Sequence, residues 1–231
     1  MDISLKEKLL LLSISNKTGW PYANNFTYSL AGAIILELVE SKKLILSENR
    51  LIVRNSKHTG DKILDDVILR IRKKDKKLKI KRWVSKIGLS PRKYKKEIIN
   101  RLISKKILKK NTSRFLGIIP ITKYPLINHK IKEEIIENLK DLINGKNDDE
   151  ELKILLCLVG ALNIYGRLFK DKVTRKMARK KAKEIRSSSE IGKAVDQTIR
   201  EVNAAVVAAV VSASAAVYLT HQVFFSGLRP H

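Results

Sequence analysis

The chain has 231 residues, 44% of them hydrophobic, which suits one large domain or two small ones and excludes disorder throughout. Its 48 lysines and arginines against 23 acidic residues give a net charge of +25, an excess that attracts phosphate-bearing polymers or anionic lipid surfaces. A Lys- and Ile-rich genome is the competing explanation for that composition, since net charge argues about association and not about fold.

The single cysteine, Cys157, lies in the apolar run "LLCLVGALNIYG", reads as a small core residue and permits no intramolecular disulfide. The N-terminus "MDISLKEKLLLLSISNKTG" mixes charges of both signs and has no small-residue cleavage site, so a cytoplasmic protein is expected. In "SLKEKLLLLSI", Ser4 followed by Glu7 and then leucines is a capping-box pattern that starts a short helix. After the turn-rich "NKTGWPYANN", the segment "FTYSLAGAIILELVESKKLIL" is apolar on all sides through Leu38 and predicts a core helix. "LILSENRLIVRN" alternates around a polar turn and predicts a hairpin; in "TGDKILDDVILRIRKK", Asp61 precedes Ile63, Leu64, Val67, Ile68 and Ile71 at helical spacing.

Between Arg70 and Lys96 there are fourteen basic residues and one acid, Asp75, interleaved with Leu78, Ile80, Trp83, Val84 and Ile87. "SPRKYKKEIINRLISKKIL" then predicts a helix with Ser90 as N-cap, Pro91 at its first position and a stripe of Tyr94, Ile98, Ile99, Leu102 and Ile103. "KKNTSRFLGIIPITKYPL" reads as a β-hairpin arm with Gly117 and Pro120 against helix, and "INHKIKEEIIENLKDLINGK" as an amphipathic helix ended by Gly145. "NDDEELKILLCLVGALNIYGRLF" begins another helix with acids at its positive end, and "KDKVTRKMARKKAKEIRSSS" is a second basic helix.

Val202 to Leu219, "VNAAVVAAVVSASAAVYL", is 18 residues long, just under the roughly 20 that a membrane span needs. Its apolar character comes from alanine and valine, which insert weakly, so a buried helix that lets its neighbours approach closely is expected over a transmembrane span.

Catalytic and metal patterns are missing. His58, His129, His221 and His231 are scattered, no cysteine pair exists, and no P-loop, dinucleotide or G-x-S-x-G motif occurs. Asp61, Asp65 and Asp66 lie together, but helix capping accounts for the first and exposed faces for the others. The expectation is a binding protein with no enzymatic activity, no cofactor and no metal. Its partner is an anionic membrane surface or, alternatively, nucleic acid on the same cations.

Taken in order, "LKEKLLLLSI", "TYSLAGAIILELVESKKLIL", "TGDKILDDVIL", the tryptophan of "KRWVSKI", "RLISKKILKK", "FLGIIPITKYPL" and the late Ala/Val helix resemble the Golgi phosphoprotein 3 family, of a prokaryotic type. The resemblance implies a mostly α, compact single domain over 1–231, its core running from about Ser4 to Leu219. Buried central helices would be wrapped by amphipathic ones, with a protruding hairpin, Arg114 to Lys123, used in self-association through Phe115, Leu116, Ile118 and Ile119. It also implies a peripheral membrane protein that binds phosphatidylinositol 4-phosphate and, as an adaptor, holds the cytosolic tails of membrane enzymes.

Arg92 and Lys95 match two basic residues of the family's headgroup pocket, whereas Ala23 and Ala31 stand where the family has a tryptophan and an arginine. The expected headgroup site is therefore Arg92, Lys95, Lys96 and Arg82, with Trp20 standing in for the missing aromatic. The expected membrane-facing patch is Arg70, Arg72, Lys73, Lys74, Lys76, Lys77, Lys79 and Lys81. The domain begins directly after Met1, so the family's basic coat-contacting tail is not expected here, nor is a Golgi sorting role.

Overall fold

The computed structural model describes residues 3–23, 26–73, 78–115, 118–188 and 193–208. Helix α1 (Leu5–Ser13) starts where Ser4 N–H donates to Glu7 Oε2 at 2.9 Å, the glutamate half of the capping box, and every residue of it except Lys8 is buried. Helix α2 (Phe26–Glu40) is covered on all sides as its composition requires. The chain then turns through the antiparallel pair β1 (Leu44–Ser47) and β2 (Arg50–Val53), in which Leu44 faces Val53 and Ser47 faces Arg50. Glu48 and Asn49 close this hairpin with φ of 48° and 61°, a two-residue turn whose twist matches that of the strands.

Helix α3 (Lys62–Arg72) is capped by Asp61, whose side chain accepts from Ile63 N and Leu64 N, and it buries Ile63, Leu64, Val67, Ile68 and Ile71. The basic segment contains a further helix, α4 (Ile80–Gly88), with Ile80, Trp83, Val84 and Ile87 turned inward. Helix α5 (Pro91–Ser104) follows with Pro91 in its first turn. Ser90 occupies the cap position without capping: its hydroxyl donates backward to Lys86 O at 3.2 Å.

Strands β3 (Asn111–Phe115) and β4 (Ile119–Lys123) form the second hairpin, with Asn111 opposite Lys123 and Phe115 opposite Ile119. Then come α6 (His129–Ile143), ended by Gly145 at φ 76°, and α7 (Glu150–Ala161), whose N-cap Asp149 accepts from Leu152 N at 2.8 Å. The helix that begins in this segment stops at Ala161. Asn163 takes a left-handed φ of 56° and the chain restarts as the single turn α8 (Tyr165–Leu168), because Tyr165 folds back to donate its hydroxyl to Leu156 O at 2.9 Å. Helices α9 (Lys172–Ser188) and α10 (193–208) complete the described chain.

The mostly helical architecture has α1 at its centre, packed against α2, α5, α6 and α7, while α2 also packs on α4 and α7, and α9 on α6, α7 and α8. Helix α10 enters the core through Val195, Ile199, Val202 and Ala205. A Cβ on Gly32 of α2 would lie 3.0 Å from Val202 Cγ2, so glycine lets α2 and α10 approach closely there. The described part of the Ala/Val segment is buried on one face and not all round, since Asn203 and Val207 are exposed; its remainder, 209–219, lies outside the described residues.

Two buried lysines tie this core together. Lys6 is 0% exposed, and its Nζ lies 2.7 Å from both Glu37 Oε1 and Asp61 Oδ2. Arg101 grips the same aspartate from α5, Nη1 to Oδ2 at 2.6 Å and Nη2 to Oδ1 at 3.2 Å. Burial alone would push the Asp61 carboxyl up; the hydrogen bonds from Arg101 and Lys6 outweigh it and hold it well below the usual carboxylate range. Glu37, with weaker compensation, is pushed up by burial. Lys132 of α6, 7% exposed, donates to Ile14 O and Asn16 Oδ1, both at 2.9 Å, and burial lowers it to about 8.

Candidate functional site

The sequence expectation converges on the corner where α4 meets α5. Helix α4 docks on α2 through its inward stripe, and Gly88 permits the contact: a Cβ there would stand 2.9 Å from Tyr28 Cδ1. Its outward side carries Lys81 and Arg82, both exposed. The connection leaves Leu89 72% exposed between these cations and those of α5.

In the first turns of α5, Lys93, Lys95 and Lys96 have three different fates. Lys93 donates to Asp66 Oδ1 at 2.9 Å. Asp66 also accepts from the Tyr94 hydroxyl at 2.6 Å, and Arg70 Nη1 donates to that hydroxyl at 2.7 Å. Burial raises the Tyr94 phenol to about 12, helped by its bond to Asp66. Arg70 and Lys93 are thus engaged with α3 and α5 themselves. Lys96 is exposed.

Lys95 is half-buried, with its ammonium 6.0 Å above the ring of Phe26, and burial pushes it down from the ordinary lysine range. Among the described residues Lys95, Lys96, Lys81, Arg82 and Lys86 make no ion pair. Because Ser90 does not cap, the first-turn amides of α5 also lack a side-chain acceptor.

Several expected members sit elsewhere or are differently arranged. Trp20, 54% exposed, lies in the loop after α1: its carbonyl accepts from Ser15 N at 2.9 Å, and its neighbour Thr18 O accepts from Tyr124 N at 3.0 Å at the foot of the second hairpin. Among the described residues no ring contact joins Trp20 to Lys95; Phe26 supplies the aromatic face. Ala31 is fully buried in the core face of α2, so a headgroup at that corner does not reach it; Ala23 is partly buried against the core.

Of the expected patch, Arg72, Lys73, Lys79 and Lys81 are present and Arg70 is half-engaged by Tyr94. Lys74, Lys76, Lys77 and Leu116, with the side chains of Arg92 and Phe115, lie outside the described residues. Ile118 and Ile119 of the hairpin are 83% and 56% exposed. Leu89 and Phe26 are the contributors that sequence reasoning missed. Leu89 carried a signal, being the one leucine off the buried stripe of α4.

The three clustered aspartates separate into distinct tasks: Asp61 in the core network, Asp65 accepting from Thr59 N and Oγ1 at 2.8 Å each, and Asp66 on Tyr94 and Lys93. Among the described residues no group of three or more His, Cys, Asp or Glu is placed to hold a metal, and no helix is long and apolar enough to cross a membrane.

The family model for Golgi phosphoprotein 3 (GPP34) matches residues 5–202. The chain belongs to that family. The match takes in every described element from α1 through most of α10, and with them the α4–α5 corner.

Proposed function

We propose that this member of the Golgi phosphoprotein 3 family is a peripheral membrane protein that binds anionic phospholipid headgroups, phosphoinositide among them, at the α4–α5 corner. The carrying observation is Lys95: a half-buried ammonium without an acidic partner among the described residues, beside uncapped helix amides. A phosphate there restores the charge balance that burial has taken from the lysine and accepts from the first turn of α5. Arg82 and Lys86 of α4 and Lys96 of α5 add positive charge on the two helices that form the corner, each contributing on the order of 1 kcal/mol near an anionic surface. Exposed Leu89, between the cations of α4 and α5 in sequence, is the apolar side chain that would enter the headgroup layer, and its burial there is worth about 2 kcal/mol.

The reading is of a binding protein and not of an enzyme, on the cytoplasmic face of a membrane. An adaptor role toward the tails of membrane enzymes, and self-association through the hairpin tip at Ile118 and Ile119, extend it. The test is co-sedimentation at physiological salt with vesicles carrying phosphatidylinositol 4-phosphate or phosphatidylserine at matched surface charge. Lys95→Ala is expected to weaken phosphoinositide binding several-fold more than Lys146→Ala, a distant exposed lysine. Equal losses would reduce the corner to general charge, and tight, salt-steep binding of DNA with none to vesicles would replace the reading by nucleic-acid binding.

A further inference from the structure

A second basic site lies on the other packing partners of the core. A cleft of about 410 Å³ opens between the end of α7, the second half of α9 and α10, within the size range of small-ligand sites. Its floor is Tyr165, whose hydroxyl is already committed to Leu156 O. Its walls carry Arg179, Lys183 and Arg186, at i, i+4 and i+7 along one face of α9, together with Asn163 and Asn203.

Among the described residues the charges in this cleft do not balance. Arg186 donates from Nε to Ala182 O at 3.2 Å and stands 3.6 Å from Asp196, which Arg200 also grips. Among the described residues Arg179 and Lys183 have no acidic partner, and Glu184, the one acid of α9, faces Lys180 at 3.9 Å. Among the described residues three cations therefore line one cleft, and the carboxylate of Asp196 stands near Arg186 alone of the three. A basic helix face that is merely solvated needs no cleft beside it, whereas here Asn163 and Asn203 line the same cleft as the cations.

We propose that this cleft binds a phosphate monoester. Such a group carries about −1.5 to −2 charge at neutral pH, which matches the two uncompensated cations, and its oxygens accept from guanidinium, ammonium and carboxamide donors together. The phosphate comes either on a soluble small molecule or on a lipid headgroup. The cleft is separate from the α4–α5 corner, since α4 packs on α2 and α9 packs on α6 and α7.

The experiment uses the whole chain and two probes with the same phosphate: glycerol 3-phosphate in solution, and phosphatidylcholine vesicles containing phosphatidic acid. The variant pair Arg179→Ala with Lys183→Ala is compared with Lys172→Ala with Lys176→Ala, an equal charge loss on exposed positions of the same helix outside the cleft. All four side chains are exposed, so helix content by circular dichroism is expected to be unchanged. The cleft pair weakens binding at least tenfold and the control pair less than twofold at physiological salt. Saturable binding of glycerol 3-phosphate assigns a soluble ligand; binding of the vesicles alone, with the same variant ranking, assigns the lipid. Equal losses in the two pairs, or no saturable binding of either probe by the wild type, overturn the proposal.

Discussion

Replacing Asp61 by asparagine separates two tasks that one side chain performs. Asparagine caps a helix as well as aspartate does, so the bonds from Ile63 N and Leu64 N survive, while the negative charge between Lys6 and Arg101 is lost. Among the described residues Lys6, which has no contact with water, then keeps only Glu37, and Arg101 keeps only Glu97 at 3.5 Å. Breaking a buried pair on one side costs about 3–5 kcal/mol; the Asp61 side chain keeps 16% exposure, so the lower end applies, about 3 kcal/mol. For a chain of this size that is a fall in Tm of roughly 6–12 °C. Asp61→Ala also removes the cap and costs about 1 kcal/mol more.

The assay is thermal unfolding followed by far-UV circular dichroism, repeated from pH 7 downward. The folded Asp61 titrates below its unfolded value of about 3.9, so its stabilisation is fully present above that pH and is lost as pH falls further. The gap between wild type and Asp61→Asn should therefore close in acid. An Asp61→Asn protein within about 0.5 kcal/mol of wild type at pH 7 refutes the argument, because an effect that small belongs to a surface pair.

Lys132 gives a pH dependence of opposite direction. Its folded value of about 8 lies below the ordinary 10.5, so its burial penalty is present at pH 7 and disappears as pH rises from 8 to 10.5. Stability should climb across that window by at most about 3 kcal/mol, less what the bonds to Ile14 O and Asn16 Oδ1 hold back, and Lys132→Met should flatten the climb in urea titrations. Gly88→Ala places a methyl 2.9 Å from Tyr28 Cδ1 and should lower stability by about 1–3 kcal/mol, with Tyr28→Ala in the same chain lowering the added penalty. If the proposed membrane contact holds, Leu89→Ser reduces vesicle affinity roughly tenfold or more without changing Tm, since the leucine is exposed and not part of the core. Ile118→Ser with Ile119→Ser should shift any concentration-dependent sedimentation toward the monomer; an unchanged profile from a self-associating wild type removes the hairpin from the interface.

Local signals were legible in the sequence because their causes are local. Glu7 three residues after Ser4, Asp61 ahead of an apolar stripe and the polar pair Glu48–Asn49 between alternating runs each act within a few residues. The basic segment hid α4, since its charge run masks a stripe that becomes plain once Ile80, Trp83, Val84 and Ile87 are seen to share a face. The break after α7 has neither glycine nor proline at its left-handed residue; it depends on where the Tyr165 hydroxyl finds an acceptor. The site was legible in residue type and not in arrangement. Lys95 could be chosen by resemblance, but its aromatic neighbour is Phe26 and not Trp20, and Ala31 is buried, facts that follow from how α2 is rotated in the core.

The central position of α1 has a kinetic consequence. Its leucines rest on α7, and Lys8 pairs with Glu151, a partner 143 residues further along the chain. During synthesis the four consecutive leucines Leu9 to Leu12 must wait, covered only in part by α2, α5 and α6, until α7 has left the ribosome. Folding of this protein should accordingly be slow for a helical one, and shortened nascent chains that stop before Glu150 should aggregate or recruit chaperones, whereas those that extend past Ala161 can close over the leucines.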